Sequence, residues 1–308
     1  MPPKRPVQAR GCQAGWTTSD PTGSEDVFTE DDDRGRPVGR PRRVREHPRG
    51  RVSGRWQTMK VVPAQPAALR LEGVSMSFPD GTRAVHELSF EVHRGEFVTI
   101  IGPSGCGKST VLRLASGLLH GATGNVVVAE DNLGYVFQDP TLLGWRTVQR
   151  NVELFAELRR MPRAERVRRG TEALNLVGLA GVAHRYPRQL SAGMRMRVSL
   201  ARSLALRPQL FLFDEPFGAL DEITRERLNE EVLGLFESER FAALFVTHSI
   251  YEAVYLSSRV LVMSARPGPL VATFEVPFEY PRPGSLRFDA RFTALAGQLS
   301  EALREAHA

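Results

Sequence analysis

The chain has 308 residues, 42% hydrophobic and 25% charged, an ordinary globular balance with enough length for one large domain or two small ones. Its two cysteines, Cys12 and Cys106, exclude a disulfide framework and a structural metal and predict a reducing, intracellular setting, while no run of 18 or more apolar residues suits a membrane span and no N-terminal apolar run suits a secretion signal. The net charge of +6 is uneven: residues 1–58 hold 12 Lys+Arg against 8 Asp+Glu, so the rest is nearly neutral and a large basic nucleic-acid face is not expected.

Residues 1–58 are rich in Arg, Pro and Gly and lack aliphatic periodicity. Such a stretch buries too little apolar area to offset its chain entropy, so a disordered tail is expected, or an untranslated leader with Met59 as the true start. From Leu69 the pattern changes. Leu71, Val74, Phe78, Val85, Leu88, Phe90 and Val92 alternate with polar residues across Pro79-Asp80-Gly81, which predicts an antiparallel strand pair. Phe97 to Ile101 is an apolar run ending in glycine, as for a strand buried on both faces. A helix is expected from Lys108, with Val111, Leu112, Leu114, Ala115 and Leu118 at helical spacing and Gly121 beyond.

Residues 139–206 have helical periodicity, with Val148, Val152, Phe155 and Leu158 as one stripe, and predict a helical insertion. Leu210 to Phe213, Ala242 to Val246 and Val260 to Met263 then read as parallel strands, the first two separated by a helix with Leu228, Val232 and Leu235 on one face. One short helix with Phe292, Leu295, Leu299 and Leu303 on one face closes the chain, as an extension over 276–308 without a separate domain.

The strongest local signal is Gly102-Pro103-Ser104-Gly105-Cys106-Gly107-Lys108-Ser109-Thr110 between a strand and a helix, the P-loop pattern. Small residues let successive N–H groups and a helix N-terminus face phosphate, Lys108 reaches the β- and γ-phosphates, and Ser109 suits Mg²⁺. Leu190-Ser191-Ala192-Gly193-Met194 precedes a helix with Met194, Val198, Ala201 and Ala205 on one face; Ser191 there is a helix N-cap at the least. Leu210 to Phe213 delivers Asp214 and Glu215 at a strand end, with Pro216, Gly218 and Asp221 close behind, and Thr247-His248 ends the next strand. Carboxylates at such strand ends stand beside a P-loop.

With these motifs on the page, residues 69–275 resemble the nucleotide-binding subunit of ABC transporters. The resemblance implies a P-loop NTPase fold of the α/β class, with a RecA-like parallel sheet, an antiparallel β subdomain and a helical subdomain over 139–206, the whole ATPase domain spanning 66–275. It makes Gly102 to Thr110 the Walker A loop, Gln138 the glutamine after the second β segment, Leu190 to Met194 the signature, Asp214 and Glu215 the Walker B end, Asp221 part of the D-loop and His248 the switch histidine. Phe78 stands where the family stacks an aromatic on adenine, with a plain core role as the alternative. Two departures stand out: Ala192 replaces the first signature glycine, so a methyl could crowd phosphate if glycine torsions are needed there, and Ser249 replaces an acid after the histidine.

The implied mechanism is ATP hydrolysis in a head-to-tail homodimer, with Ser191 and Gly193 of one copy capping the γ-phosphate held by the P-loop of the other. Glu215 orients or deprotonates water, Ser109, Asp214 and Gln138 arrange Mg²⁺ and water, and His248 holds Glu215 and the γ-phosphate. Gln138-Asp139-Pro140 leading to Leu142-Leu143-Gly144-Trp145-Arg146-Thr147-Val148, and Met263 to Gly268, are similar to the nitrate, sulfonate and taurine importer branch. The expected partners are membrane permease subunits and, through them, a solute-binding protein, with the chain on the cytoplasmic face of the membrane and no specific nucleic acid. A soluble ABC ATPase acting on nucleic acid or the ribosome is the alternative, and a nucleotide-binding regulator without hydrolysis a further one.

Overall fold

A computed structural model describes residues 67–129, 132–265 and 267–307, so the expectations for residues 1–58 lie outside the described part. The alternation around the Pro79 turn becomes β1 (Ala67–Ser77) and β2 (Arg83–His93), paired antiparallel with Leu71 opposite Phe90 and Val74 opposite Leu88. A third strand, β4 (Thr123–Val128), which the sequence reading did not identify, pairs antiparallel with β1 to give the order β2-β1-β4. Its residues are exposed or half-buried, so it lacks the apolar alternation that marks a strand packed on a core.

The second sheet is the frame of the molecule. β3 (Phe97–Ile101), β6 (Leu210–Asp214) and β7 (Ala242–Val246) are buried at every position, and β5 (Leu133–Val136) and β8 (Arg259–Met263) nearly so. The order is β5-β6-β7-β3-β8-β9, with every pair from β5 to β8 parallel and only β9 (Leu270–Glu275) antiparallel, against β8. Unbroken apolar runs are what a parallel sheet covered on both faces requires. β5 and β9 are additions to the sequence reading; β9 alternates half-buried and exposed side chains, as an edge strand does.

Helices cover this sheet. α1 (Lys108–Ala115) stops one turn earlier than the apolar spacing suggests. Gly117 has φ 71°, Leu118 N–H donates to Arg113 O and Gly117 N–H to Leu114 O, a glycine-capped ending that throws Leu118 out to 62% exposure. The insertion is α2 (Val148–Val152), α3 (Leu154–Leu158), α4 (Arg163–Leu176) and α5 (Ala192–Leu204). Val148 and Val152 are buried as expected, but α2 and α3 are separate short helices, and Leu158 is 70% exposed at the end of the second. α6 (Glu222–Glu239) buries Leu228, Val232 and Leu235. α7 (Ile250–Leu256) follows β7, and α8 (Ala290–Glu305) buries Phe292, Leu295 and Leu299 in the same core cluster as the sheet. The C-terminal stretch is thus an integral layer of the domain.

Among the described residues no helix is long and apolar enough to cross a membrane.

Candidate active site

The Gly102 to Thr110 loop joins the end of β3 to the start of α1, at the C-terminal edge of the parallel sheet, where ligand crevices form in open α/β sheets. Its glycines are there for space and torsion. Gly105 and Gly107 have φ of 79° and 109°, and a Cβ on Gly107 would stand 2.3 Å from the Ala84 carbonyl oxygen of β2. Lys108, the first residue of α1, is buried, and its ammonium donates to the carbonyls of Gly102 (2.8 Å) and Pro103 (2.9 Å) in the mouth of the loop. Cys106 is buried beside it, with Sγ 4.0 Å from Lys108 Nζ; burial pushes its thiol above the ordinary range, so it stays protonated at neutral pH.

Ser109 Oγ donates to Asp214 Oδ1 at 2.7 Å, tying the loop to the end of β6. The other oxygen of Asp214 accepts from Tyr135 of β5 at 3.1 Å. Burial first, and then the Asp214 charge, push the Tyr135 phenol far above its ordinary value, which keeps it a donor. Tyr135 is a residue the sequence reading passed over. A hydroxyl and a carboxylate side by side are hard oxygen donors, the chemistry that suits Mg²⁺ completed by water and phosphate.

Glu215 follows directly, with φ 45°, a left-handed conformation that a non-glycine residue adopts at a cost of about 1–3 kcal/mol. Its N–H donates to Val246 O and its carbonyl accepts from Gly218 N–H, so the ends of β6 and β7 hold it there. His248 Nδ1, just past β7, stands 3.4 Å from Glu215 Oε2. Gly218 faces the same space: a Cβ there would lie 3.4 Å from His248 Cε1 and 3.9 Å from Gln138 Nε2. Lys108, Ser109, Asp214, Glu215, His248 and Gln138 therefore line one end of the sheet. Beneath His248, Thr247 Oγ1 donates to Glu252 of α7, a carboxylate that burial lifts above its ordinary range.

The signature stretch opens α5, where Ala192 shares a cavity of about 350 Å³ with Gln138 and Pro216. Ser191 is the N-cap of α5, accepting from Met194 N at 3.3 Å. Ala192 is the first residue of that helix and exposed, in ordinary right-handed backbone, so its methyl meets no torsional objection there. Ser191 and Gly193 open onto a cavity of about 460 Å³ with Leu179, Arg197, Ile223 and Thr224; no residue of the P-loop lines it. Asp221 is the N-cap of α6, its Oδ1 accepting from Thr224 N at 2.9 Å, and that bond holds its carboxyl below the ordinary range. Ser249, in place of an acid, caps α7 by accepting from Glu252 N. Phe78 lies just past β1, half-buried against the antiparallel sheet's core cluster.

A second polar device was also missed by sequence reading. Asn151 is fully buried and its side chain closes the loop before α2, accepting from Leu143 N and donating to the carbonyls of Leu143, Arg146 and Thr147. Arg146 is fixed to Glu157 at 2.6 Å, and Trp145 before it projects outward, 77% exposed.

Comparison with known proteins agrees with this geometry. The family model described as ABC transporter matches residues 85–218. The chain is 42% identical over 224 residues to an uncharacterized ABC transporter ATP-binding protein of Methanocaldococcus jannaschii, covering 70% of this chain and 84% of that one. It is 39% identical over 222 residues to an aliphatic sulfonates import ATP-binding protein of Bacillus cereus, covering 69% and 87%. Among solved structures it superposes on a dimeric ATP-binding cassette in a post-hydrolysis state bound to ADP and Pi, with TM-score 0.60 and 30% identity over 68% of this chain and all of that one. A P-loop tied through Ser109 to a strand-end aspartate, with glutamate and histidine alongside, and relatives of this similarity make the chain a member of the ABC transporter ATP-binding family, an ATPase of that class.

Proposed function

We propose that the chain is the ATP-hydrolysing subunit of an importer for a small solute, working as a head-to-tail homodimer beneath a separate permease on the cytoplasmic face of a membrane. The observation that carries this reading is the division of the site: cradle, carboxylates and histidine converge at one sheet edge, while Ser191 and Gly193 open onto a cavity that none of those residues lines. Ile223, 82% exposed, borders that second cavity and suits a face covered by another copy. The sulfonate-import relative directs the first substrate test to sulfonates, taurine and nitrate, delivered by a solute-binding protein.

In this reading the P-loop amides and Lys108 bind the triphosphate, the ammonium exchanging the Gly102 and Pro103 carbonyls for phosphate oxygens. Ser109 and Asp214 would hold Mg²⁺ and Gln138 would arrange its water, the metal supplying neutralisation of phosphate charge. Tyr135 fixes the Asp214 carboxylate by its hydrogen bond. Glu215 orients the attacking water and accepts its proton, and His248 keeps Glu215 in place and reaches the γ-phosphate. The neighbour's Ser191 and Gly193 close the site from the other side, Asp221 sets the segment between the two sites, and Phe78 stacks on the base. Trp145, braced by Asn151, presents the permease-docking loop.

Phosphate release by the purified chain, alone and with the co-expressed permease, tests this. The Glu215→Gln variant is expected to keep ATP binding, lose turnover by about 10²–10⁴ and accumulate ATP-bound dimers. Turnover near the unaltered level would remove Glu215 from its role, and failure to recover any membrane partner by co-purification would remove the importer.

A further inference from the structure

The phosphate loop is gripped from two sides, and one of the grips leads to the C-terminus. On one side, Gly107 rests on the Ala84 carbonyl of β2. On the other, Gly268, between β8 and β9, presses against the loop's crest. Parallel register puts Ile101 opposite Val262, so Met263 lies alongside Gly102, where a Cβ would stand 2.8 Å from Met263 O. A Cβ on Gly268 would stand 2.5 Å from the Cys106 carbonyl oxygen, 2.9 Å from Met263 Cε and 3.0 Å from Ser264 O. Only glycine allows so close an approach of tip to loop. The positive φ that strains side chains does not apply at Gly268, so contact alone selects it.

The tip has two fastenings. Ser264 N–H donates to Pro269 O at 3.1 Å, closing the hairpin on itself. Ala265 N–H donates to Ala306 O at 2.8 Å, and Ala306, just past α8, is buried. A continuous path of backbone contacts thus runs from the last turn of α8 through Ala265 and Gly268 to Cys106, two residues before Lys108.

We infer that the C-terminal helix and the Gly268 tip are positioning elements for the nucleotide, holding the Cys106 peptide so that the following N–H groups and Lys108 keep their aim. This rests on the phosphate-binding reading of the loop. It predicts an effect on ATP affinity separate from the chemical step, because Asp214 ends β6, Glu215 follows it and His248 lies just past β7, and the β8–β9 hairpin pairs with neither strand.

Two variants of the full-length protein test it, Gly268→Ala and a chain ended after Glu305, which lacks the Ala306 carbonyl. ATP affinity by titration, KM, kcat and the melting transition are measured for each. The expected result is a rise in Kd and KM for ATP of roughly five- to tenfold, the scale of one lost hydrogen bond, with kcat and melting preserved. Ala306→Gly, which keeps the carbonyl, is expected to restore unaltered affinity. Unchanged KM in both variants would overturn the inference, as would a fall in kcat at constant KM, or loss of the cooperative melt in both, which would give the contacts a purely structural role. Lys108→Ala separates the two levels: if it leaves ATP binding intact the phosphate reading itself fails, whereas if it weakens binding while Gly268→Ala does not, only the positioning role is lost.

Discussion

The sheet core and the helical insertion both carry stretches of the ABC site, and they are built on opposite principles. The core strands β3, β6 and β7 are buried at every position, with Thr99 the one polar side chain inside them, and bring their carboxylate to a strand end at Asp214, with Gly102 and Thr247 just past the other two. The insertion over 139–206 holds 13 Arg against 5 Asp+Glu, so the near-neutral balance of the folded part conceals a surplus of eight positive charges in one segment. All four glutamates of the segment are paired, Glu157 with Arg146, Glu165 and Glu172 with Arg168, and Glu153 with Arg166. The core positions chemistry by burial; the insertion positions a surface by ion pairs and one buried amide. The lesson is that net charge over a folded chain says little until it is divided by structural unit.

The largest effect after the loss of turnover in Glu215→Gln belongs to the core half. Lys108→Ala removes an ammonium held at the loop mouth and is expected to weaken ATP binding by about 2–3 kcal/mol, roughly 30–150-fold, in the isolated chain as much as in the assembled transporter. Isothermal titration of the isolated chain measures it. An affinity loss that appears only in the dimer would move the primary grip on phosphate out of the core.

Next comes the brace of the insertion. Asn151→Ala strips four hydrogen bonds from the loop at Leu143, Arg146 and Thr147 and leaves buried backbone groups without partners, for a loss of about 2 kcal/mol. A melting temperature lower by about 4–8 °C is expected, with permease co-purification lost and basal ATP binding kept. Intact permease association would show that the loop carrying Trp145 does not depend on its brace.

Ser191→Ala sharpens the same contrast from the other side. Loss of the N-cap bond to Met194 destabilises α5 by about 1 kcal/mol, and ATP binding to a single copy is expected to stay unchanged while ATP-driven dimer formation, read by light scattering, falls. Weakened binding in the monomer would mean that one copy reaches its own phosphate with Ser191.

What could be read from residues alone follows the same division. The P-loop was legible because its torsions and close approaches demand glycine at fixed positions, and the strand-end acids because a wholly apolar run makes any charge that follows conspicuous. Tyr135 and Asn151 were not, since an aromatic in a strand and an amide in a helix look ordinary until their partners, 79 residues away for Tyr135, are known. β4 and β9 escaped because edge strands need not be apolar on either face, and α1 was drawn too long because Leu118 keeps the helical spacing after Gly117 has turned the chain away.

The smallest effect concerns how the core tolerates a charge beside Thr247 and His248. Glu252 is buried under Thr247 and His248, accepts from Thr247 and has Arg225 3.8 Å away, yet burial dominates and lifts it above its ordinary 4.5. A carboxyl with a raised folded-state value stabilises the fold fully below its unfolded value, and that contribution is lost as pH rises through the folded value. Glu252→Gln, which keeps an acceptor for Thr247 without the charge, is therefore expected to melt above the unaltered protein at pH 8, with the advantage fading as pH falls toward 4.5. An advantage that grows on acidification would show that Arg225 and Thr247 outweigh burial, and that this part of the core, like the insertion, is held by paired charge.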